Sequence, residues 1–535
     1  MNSHCFPFRQ IPHTTRLFLD YLDHTPSVQP FYPRSAHFLE WAVDESKRVQ
    51  YPADRRKPVA DVLERQNKSF GASPRTLENI AAFRSGALAL MTGQQVGLFG
   101  GPVFSIYKAL TAVKYAAEAK KLGIDCVPIF WLATEDHDLE EVNQVHLPGA
   151  EGNLEKLTSS AHDGEDAPVG NIRFGPEITE LTARAKELLG DSEISAQLAE
   201  CYRPDENFGV AFAKLFARIF SEQGVIVLDA SDPELDAIAA PLYREVIERA
   251  PELNQLLLQR DQELQAAEYH QQVRITETST PLFVIRDGSR IPLHMASPDH
   301  FQIGKTAASK SELLQMTQTS PQVFSPNVLF RPVVQDYLLP TLAYVGGAAE
   351  VAYFAQVGAV YQALAGRITP ILPRFSATLI EPKAQGLLER YKLGFADLFQ
   401  GHEALREHIG SHLLDAKLQT SFEQAQASVA RSMSTITECL ERLDKTLVDS
   451  AKNAESKMLH QLESLRSRAA RAELRQSEVA ERHARLLSNA LYHDKTLQER
   501  EFAGAYFLAK HGRELLDNLL ATINPDCVDH QLVTL

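Results

Sequence analysis

The chain has 535 residues, of which 44% are hydrophobic and 23% charged, with a formal net charge of −15 at pH 7. This length is enough for two or three domains of an ordinary globular protein. The negative charge argues against non-specific binding to nucleic acid or to anionic membranes. No apolar run approaches the roughly 20 residues that a membrane span needs. Five scattered cysteines without a CxxC pair indicate a reducing compartment and give no evident zinc site. We therefore expect a cytoplasmic protein.

Residues 1–86 predict short helices and loops, with helical patterns at 15–22, 63–70 and 75–83. We expect this arm to pack against the core of the protein.

Residues 87–143 predict a strand, a glycine-rich turn, a helix, a second strand and an acidic loop. Leu88–Met91 is short, apolar and uncharged, which is typical of a strand buried on both faces. The turn after it holds four glycines, and Pro102 suits the first turn of the helix that follows. A second buried strand at Cys126–Thr134 leads directly into acidic residues. Both loops then lie at the carboxyl ends of parallel strands, where open α/β sheets bind ligands.

Further elements of this sheet are expected downstream. Residues 151–205 are polar and interpreted as an insertion, and a strong strand follows at 224–229. Residues 234–278 are mostly helical, residues 281–294 predict a hairpin, and 297–325 read as polar connections. Strands are then predicted at 328–333, 342–345 and 368–374, with a helix that begins near Ala348. The expected fold class is α/β, with a Rossmann-type parallel sheet in a catalytic core of residues 1–382.

The composition changes at Pro382, because only one of the 28 prolines lies beyond it, and residues 411–503 contain neither glycine nor proline. Ile436 and the leucines at 440, 443 and 447 repeat at coiled-coil spacing. The register breaks after Leu447, which we interpret as a stutter or bend. Residues 383–500 therefore predict a long α-helical coiled coil, antiparallel or intermolecular, and residues 501–535 a helix that returns to the core.

The glycine loop is the first candidate site. Glycines let a backbone approach a ligand closely, and the N-terminus of the next helix favours an anion. The loop has neither a GxGxxG pattern nor the lysine and hydroxyl of a P-loop. A tight turn that binds no ligand explains the loop equally well. The residues predicted to bind a nucleotide or phosphate are Gly93, Gln94, Gln95, Gly97, Gly100, Gly101 and Lys108.

The acidic cluster is the second candidate. Glu135, Asp136, His137 and Asp138 follow a buried apolar strand, so they lie at the mouth of the sheet and not on a distant surface helix. Their carboxylates repel one another unless Mg²⁺ or a substrate ammonium group joins them, and His137 is a candidate general base. We predict that Asp136, His137 and Asp138 are catalytic and that Glu135 contacts substrate. The alternative is a solvated helix start.

A third polar group lies within residues 325–356. Arg331 is suited to binding a carboxylate or phosphate bidentately, although it could equally pair with a buried aspartate. The density of polar residues predicts a lined substrate pocket, formed by Asn327, Arg331, Gln335, Asp336, Tyr344, Gly347, Glu350 and Tyr353.

The chain resembles one family, the cysteine-adding ligases of bacillithiol biosynthesis. The matching segments include TGQQVGLFGGPVFSIYKALTAVKYA, VPIFWLATEDHDLEEVN, SPNVLFRPVVQDYLLPTLAYVGGAAEVAYFAQ, ILPR and LQERE, and they spread over nearly the whole chain. The resemblance implies a Rossmann-type core like that of class I aminoacyl-tRNA synthetases, with inserted connecting segments and a coiled-coil domain that forms a homodimer. Two features depart from those synthetases, since GLFGGP replaces the HIGH-type motif and no KMSKS-type motif is evident.

The resemblance also implies the reaction, which is the joining of cysteine to the amine of glucosaminyl-malate in the last step of bacillithiol synthesis. We expect ATP and Mg²⁺ to activate the cysteine carboxylate as an adenylate or an acyl phosphate. Two alternatives stay open at this point. One is a related amide ligase or nucleotidyltransferase with other substrates, and the other is a non-catalytic dimeric scaffold built on the coiled coil.

Overall fold

The computed structural model describes residues 1–149, 153–161, 166–413, 416–474 and 478–535. The chain forms two compact units. The first comprises Met1–Pro148, Leu154–Thr378 and Glu499–Val533, and the second consists mainly of Leu379–Gln498. Among the described residues, no helix combines the length and the apolar character that crossing a membrane requires.

A five-stranded parallel sheet forms the centre of the first unit. In chain order its strands are the first (Leu88–Gln94), second (Cys126–Leu132), third (Ile226–Asp229), fourth (Thr341–Gly346) and fifth (Ile371–Pro373) core strands. Their spatial order is fifth, fourth, first, second, third, and every neighbouring pair is parallel. The sheet therefore confirms the predicted α/β class with a Rossmann-type core.

The strand order reverses between the first and fourth core strands. From the first strand the chain runs outward to the second and third, and it later returns to place the fourth strand on the other side of the first. Such a reversal opens a crevice at the carboxyl ends of the two strands. Gly93 and Gln94 end the first strand there, and Gly346 ends the fourth.

The helix after the glycine loop, Phe104–Lys121, begins two residues later than Pro102, and Gly123 follows it with a positive φ of 77°. The fourth core strand leads into Ala348–Ala365, as predicted. The remaining helices of the first unit are Arg16–Leu22, Ala42–Ser46, Ala53–Ser69, Pro74–Ser85, Leu139–Val142, Ile178–Leu189, Glu193–Cys201, Phe208–Ile219, Pro233–Glu248, Ala250–Ala266, Lys310–Thr319, Arg331–Leu338, Gly504–His511 and Glu514–Thr522.

The predicted strand at 328–333 is wrong. The strand lies earlier, at Phe324–Pro326, and Arg331 is the first residue of a helix. Asn327 explains the change, because its side-chain Oδ1 accepts hydrogen bonds from the backbone N–H groups of Leu329 and Phe330, both at 3.0 Å. A side chain that bonds to the following backbone starts a turn, and a proline at position 332 suits the first turn of a helix.

The stretch 297–325 is also more ordered than polar connections. A five-stranded antiparallel sheet runs through it, and its hairpin is the one predicted at 281–294. Its strands are Ser279–Arg286, Ser289–Ser297, His300–Ile303, Thr306–Ser309 and Phe324–Pro326. Two smaller strands also pair, Gln144–Pro148 just before the predicted insertion and Leu154–Thr158 within it.

The second unit is helical. Its helices are Pro382–Tyr391, His402–Leu413, Ala416–Leu443, Leu447–Leu474 and Glu478–Leu491, followed by the short strands Tyr492–His493 and Thr496–Leu497 and a short helix, Gln498–Glu501, at the unit boundary. The break in the heptad pattern is a turn at 444–446, where Asp444 Oδ1 accepts a hydrogen bond from the Thr446 backbone. Gln426 Nε2 lies 3.3 Å from Glu463 Oε2, so the two long helices on either side of this turn form an antiparallel hairpin.

The two chain ends are joined covalently. Cys5 and Cys527 form a disulfide with their Cα atoms 6.3 Å apart. Strand His530–Thr534 lies between Asn2–Phe6 and Ala377–Ile380 in a three-stranded sheet, which explains how cysteines 522 residues apart in sequence meet. The scattered cysteine pattern gave no sign of this pair.

The helical hairpin is the part of the chain expected to form the homodimer. Leu443 and Leu465 of this hairpin expose 78% and 55% of their surface, so both apolar side chains are open to a partner. If the hairpin forms the predicted homodimer, the L443E/L465E double variant will be monomeric by light scattering after gel filtration, whereas the exposed control K452E will stay dimeric. A wild-type monomer at micromolar concentration would contradict the expectation.

Candidate active site

A cavity of about 280 Å³ lies at the crevice between the first and fourth core strands. It brings together residues from all three regions that the sequence analysis singled out. The predicted residues that line it are Gly93, Gln94, Gln95, Lys108, Asp136, Arg331, Tyr344, Gly347, Glu350 and Tyr353. Gly93 is required by close packing, since a Cβ atom there would lie 2.8 Å from the Trp131 carbonyl oxygen.

A buried ion pair forms the base of the cavity. Lys108 Nζ lies 2.6 Å from Glu350 Oε2, and the two side chains are 4% and 15% exposed. The same ammonium group donates to the Gly93 carbonyl and to Gln94 Oε1, both at 2.8 Å. Burial lowers the pKa of Lys108. Burial alone would raise the pKa of Glu350, but Lys108 and the hydrogen bonds hold it below its usual value.

Lys108 was predicted to reach a bound anion. Instead its three bonds tie the end of the first core strand to the helix that follows the fourth. Glu350 neutralises the charge of the ammonium group, so Lys108 stabilises the base of the cavity.

Arg331 presents a guanidinium group to the same cavity. Its Nη2 donates to the Tyr353 hydroxyl at 2.7 Å and to the Tyr344 hydroxyl at 3.3 Å. Tyr344 in turn donates to Glu350 Oε1 at 2.6 Å. Although burial opposes its charge, these neighbours raise the pKa of Arg331. Burial also raises the pKa of Tyr353 to about 12, so this hydroxyl stays protonated at neutral pH.

Asp136 follows the second core strand and lines the cavity. Gln95 Nε2 donates to its Oδ2 at 2.7 Å, and the His137 backbone N–H donates to its Oδ1 at 2.8 Å. The nearest guanidinium nitrogen, Arg290 Nη1, is 3.9 Å away. Asp136 is therefore an oriented carboxylate with capacity left for a ligand.

His137 and Asp138 have other partners. Arg290 Nη1 lies 3.2 Å from His137 Nδ1, and because arginine can only donate, Nδ1 must accept and the neutral ring carries its proton on Nε2. Asp138 is the N-cap of helix Leu139–Val142 and accepts from the Glu141 backbone. Of the three predicted catalytic residues, Asp136 is the one that lines the cavity.

Glu135 is not among the residues that line the cavity. Burial raises the pKa of its carboxyl well above its usual range; Asp236 raises it further, and Arg290 partly offsets this. Asp236 is 5% exposed and accepts a hydrogen bond from the Tyr243 hydroxyl at 2.9 Å. Burial raises the pKa of Asp236 to about 7.

The outer part of the glycine loop does not line the cavity either. Gly97 N–H donates to the Gln95 carbonyl, Gly100 N–H to the Tyr202 hydroxyl and Gly101 N–H to the Leu98 carbonyl, at 3.0, 3.1 and 3.0 Å. The Gly101 carbonyl also accepts a hydrogen bond from Gly504. Phosphate binding by these three glycines stays a prediction, and it requires those bonds to be exchanged for bonds to the ligand.

Three further residues predicted to bind substrate lie outside the cavity. Asn327 starts the helix described above. Gln335 is completely buried. Asp336 accepts a hydrogen bond from Thr369 and lies 3.6 Å from Arg367 Nη2, so the structure pairs it within the core.

Eight residues that sequence reasoning did not select as site residues also line the cavity, namely Phe104, Trp131, Ala133, Glu141, Val328, Ala349, Arg374 and Arg500. All eight lie inside segments that carried the family resemblance, among them Arg374 in ILPR and Arg500 in LQERE. Proximity to those motifs was the available signal. The distance in sequence between Arg500 and the other residues concealed their contact.

The fold and this cavity define a Rossmann-like α/β protein with a helical second unit and a polar site at its topological switch point. The family model "Bacillithiol biosynthesis BshC, N-terminal Rossmann-like domain" matches residues 1–375, and "Bacillithiol biosynthesis BshC, C-terminal coiled-coil domain" matches residues 377–535. The chain therefore belongs to the BshC family of bacillithiol biosynthesis.

Relatives align with the chain along nearly its whole length. The protein named "Putative cysteine ligase BshC" in Koribacter versatilis is 46% identical over 529 residues, covering 99% of both chains. Proteins of the same name from Solibacter usitatus and Salinibacter ruber are 34% and 32% identical, and each alignment covers at least 96% of both chains.

Removing the buried ammonium group tests the base of the cavity. K108M leaves the Glu350 carboxylate buried without its partner, which typically costs about 3–5 kcal/mol of unfolding free energy. We expect a clear fall in the midpoint of urea unfolding for K108M, a partial recovery in K108M/E350Q, and no change for the exposed control K305M. Unfolding of K108M at the wild-type midpoint would contradict the assignment.

Asp236 makes the unfolding free energy depend on pH. Its pKa is about 7 in the folded protein and near 4 in an unfolded chain. The folded state therefore binds more protons between these values, and its stability falls as pH rises from about 4 to 7. D236N cannot ionise, so we expect it to flatten this decline by up to a few kcal/mol, measured by urea unfolding across that range. A wild-type decline that persists in D236N would exclude Asp236 as its cause.

Proposed function

We propose that the chain is an ATP-dependent cysteine ligase, which forms an amide between the carboxylate of cysteine and the amine of glucosaminyl-malate in the last step of bacillithiol synthesis. Family membership and the names of the full-length relatives support the cysteine ligation. The observation that carries the site assignment is the cavity itself. It presents an oriented carboxylate, Asp136, and a guanidinium group without a carboxylate partner, Arg331, within one crevice.

The two charges suit the two ends of the amine substrate. A sugar ammonium group is attracted by Asp136, and a malate carboxylate forms charge-assisted hydrogen bonds with Arg331. In the reaction the free amine nitrogen attacks the activated carbonyl carbon, the activating group departs with its electron pair, and the nitrogen then releases a proton to solvent. Before the attack the bound ammonium group must lose one proton to become the free amine. Asp136 is the proposed acceptor of that proton, because it lines the cavity while His137 offers a protonated Nε2 and an occupied Nδ1.

ATP with Mg²⁺ would supply the activation of the cysteine carboxylate. Mg²⁺ is commonly held by one or two carboxylates together with substrate phosphates. Glu141 is a cavity carboxylate that fits this requirement. Among the residues that the structure describes, no group of three or more metal-ligating side chains is found, so substrate oxygens would complete the coordination.

The direct test is product formation. Purified protein is incubated with ATP, Mg²⁺, cysteine and glucosaminyl-malate, and the thiol product is sought by mass spectrometry at the summed mass of the two substrates less one water. We expect product in the complete mixture and none when any single component is omitted. Absence of product from folded protein over a range of pH and substrate concentration would reject the proposed reaction.

Variants of Asp136 and Asp138 distinguish a loss of catalysis from a loss of stability. D136N removes the proposed proton acceptor, so kcat for the thiol product should fall by about 10²- to 10⁴-fold. D138N keeps a side chain that caps a helix about as well as aspartate, so stability should change little and kcat should stay within a few-fold of wild type. Equal losses in both variants would show that Asp136 has no special part in the chemistry.

A further inference from the structure

Four cationic side chains line the cavity, and two of them are neutralised within the protein. Lys108 pairs with Glu350, as described above. Arg374 forms a bidentate pair with Glu499, with Nη–Oε distances of 2.9 and 2.6 Å, and the two side chains are 8% and 1% exposed. Neither of these groups has a charge left over for a ligand.

The other two cations are Arg331 and Arg500. Arg331 bonds to tyrosine hydroxyls, and neither arginine forms an ion pair with any residue that the structure describes. Glu141 is close enough to Arg500 for the guanidinium to lower the carboxyl pKa somewhat, although burial leaves that pKa raised. The cavity therefore carries two guanidinium groups that lack a bonded carboxylate.

The structure fixes where Arg500 lies. Its neighbour Glu499 is held by Arg374 and also accepts from the Ser376 hydroxyl and the Ala377 backbone, at 2.9 and 3.0 Å. Two residues further along, the Phe502 carbonyl accepts from the Val103 backbone at 2.8 Å. The guanidinium itself is 6.0 Å from the centroid of the Phe104 ring. Arg500 is thus anchored on both sides at the cavity, although it belongs to the region matched by the C-terminal family model.

The cavity wall also contains a buried hydrogen-bond donor that has no acceptor. Trp131 lines the cavity and is 2% exposed, yet its indole Nε1 has no hydrogen-bond acceptor. A buried donor without an acceptor is costly and uncommon in a folded protein.

We propose that Arg331 and Arg500 each bind one carboxylate of the amine substrate, and that Arg500 selects substrates carrying two carboxylates. This inference rests on the proposed function, and it adds a specificity-determining residue to that site. Carboxylates are favoured over a phosphate because the outer glycines, Gly97, Gly100 and Gly101, are already hydrogen-bonded and lie outside the cavity. Two separate side chains suit two separate anionic groups.

The test compares L-malate with L-lactate, which lacks the second carboxylate, and with inorganic phosphate, by isothermal titration calorimetry. Wild type, R500Q, R500K and the exposed control R482Q are used as full-length chains. A charge-assisted hydrogen bond contributes about 10- to 100-fold in affinity. We expect wild type and R482Q to prefer malate to lactate by at least about tenfold. R500Q should lose this preference with lactate affinity unchanged, and R500K should restore part of it.

Several outcomes would overturn the inference. They are a wild type that shows no preference, an R500Q variant that weakens malate and lactate equally, and a wild type in which phosphate binds as tightly as malate and depends on Arg500 as strongly. The product assay keeps this inference separate from the proposed reaction. Product formation with an unchanged malate preference in R500Q rejects only the role of Arg500. Malate selectivity that depends on Arg500, without any thiol product, rejects only the reaction.

Discussion

The buried pair between Lys108 and Glu350 is the constraint on which the candidate site depends. It joins the glycine-loop helix to the helix after the fourth core strand, across the point where the strand order reverses. An ammonium group in this position is stable only while its carboxylate is present, and the carboxylate only while Tyr344 and the Gly347 backbone also bond to it. The crevice that any open α/β sheet leaves at such a point is therefore given a fixed shape and a polar floor.

A second buried ion pair, between Arg374 and Glu499, fixes another part of the cavity wall. Arg374 and Glu499 connect the end of the fifth core strand to a segment more than a hundred residues later. This pairing brings Arg500 to the cavity and places residues 502–504 over the outer glycine loop. The loop consequently contributes its first three residues to the cavity, while its remaining glycines serve the packing of the protein. Arg500 thus lines the cavity as part of the first compact unit, although the C-terminal family model matches its segment.

Much of this arrangement is predictable from sequence where the signal is local. Uncharged apolar runs identify the first and second core strands, and placing polar residues at strand ends correctly brings Gly93, Asp136 and Glu350 together. Local patterns fail where a side-chain hydrogen bond determines the backbone conformation. Asn327 in this way starts a helix where a strand was expected. They also fail where a partner is distant in sequence. Asp336 was predicted to bind substrate, but Thr369 and Arg367 are its partners, and nothing near Arg500 indicated the cavity.

We propose that the two substrates meet in this cavity at the switch point. A crystal structure of the protein soaked with cysteine and glucosaminyl-malate would show where they bind. We expect density for the amine substrate inside the cavity, with its ammonium group beside Asp136 and a carboxylate within hydrogen-bond distance of Arg331. Well-occupied substrate bound elsewhere on the chain, with the cavity empty, would contradict it.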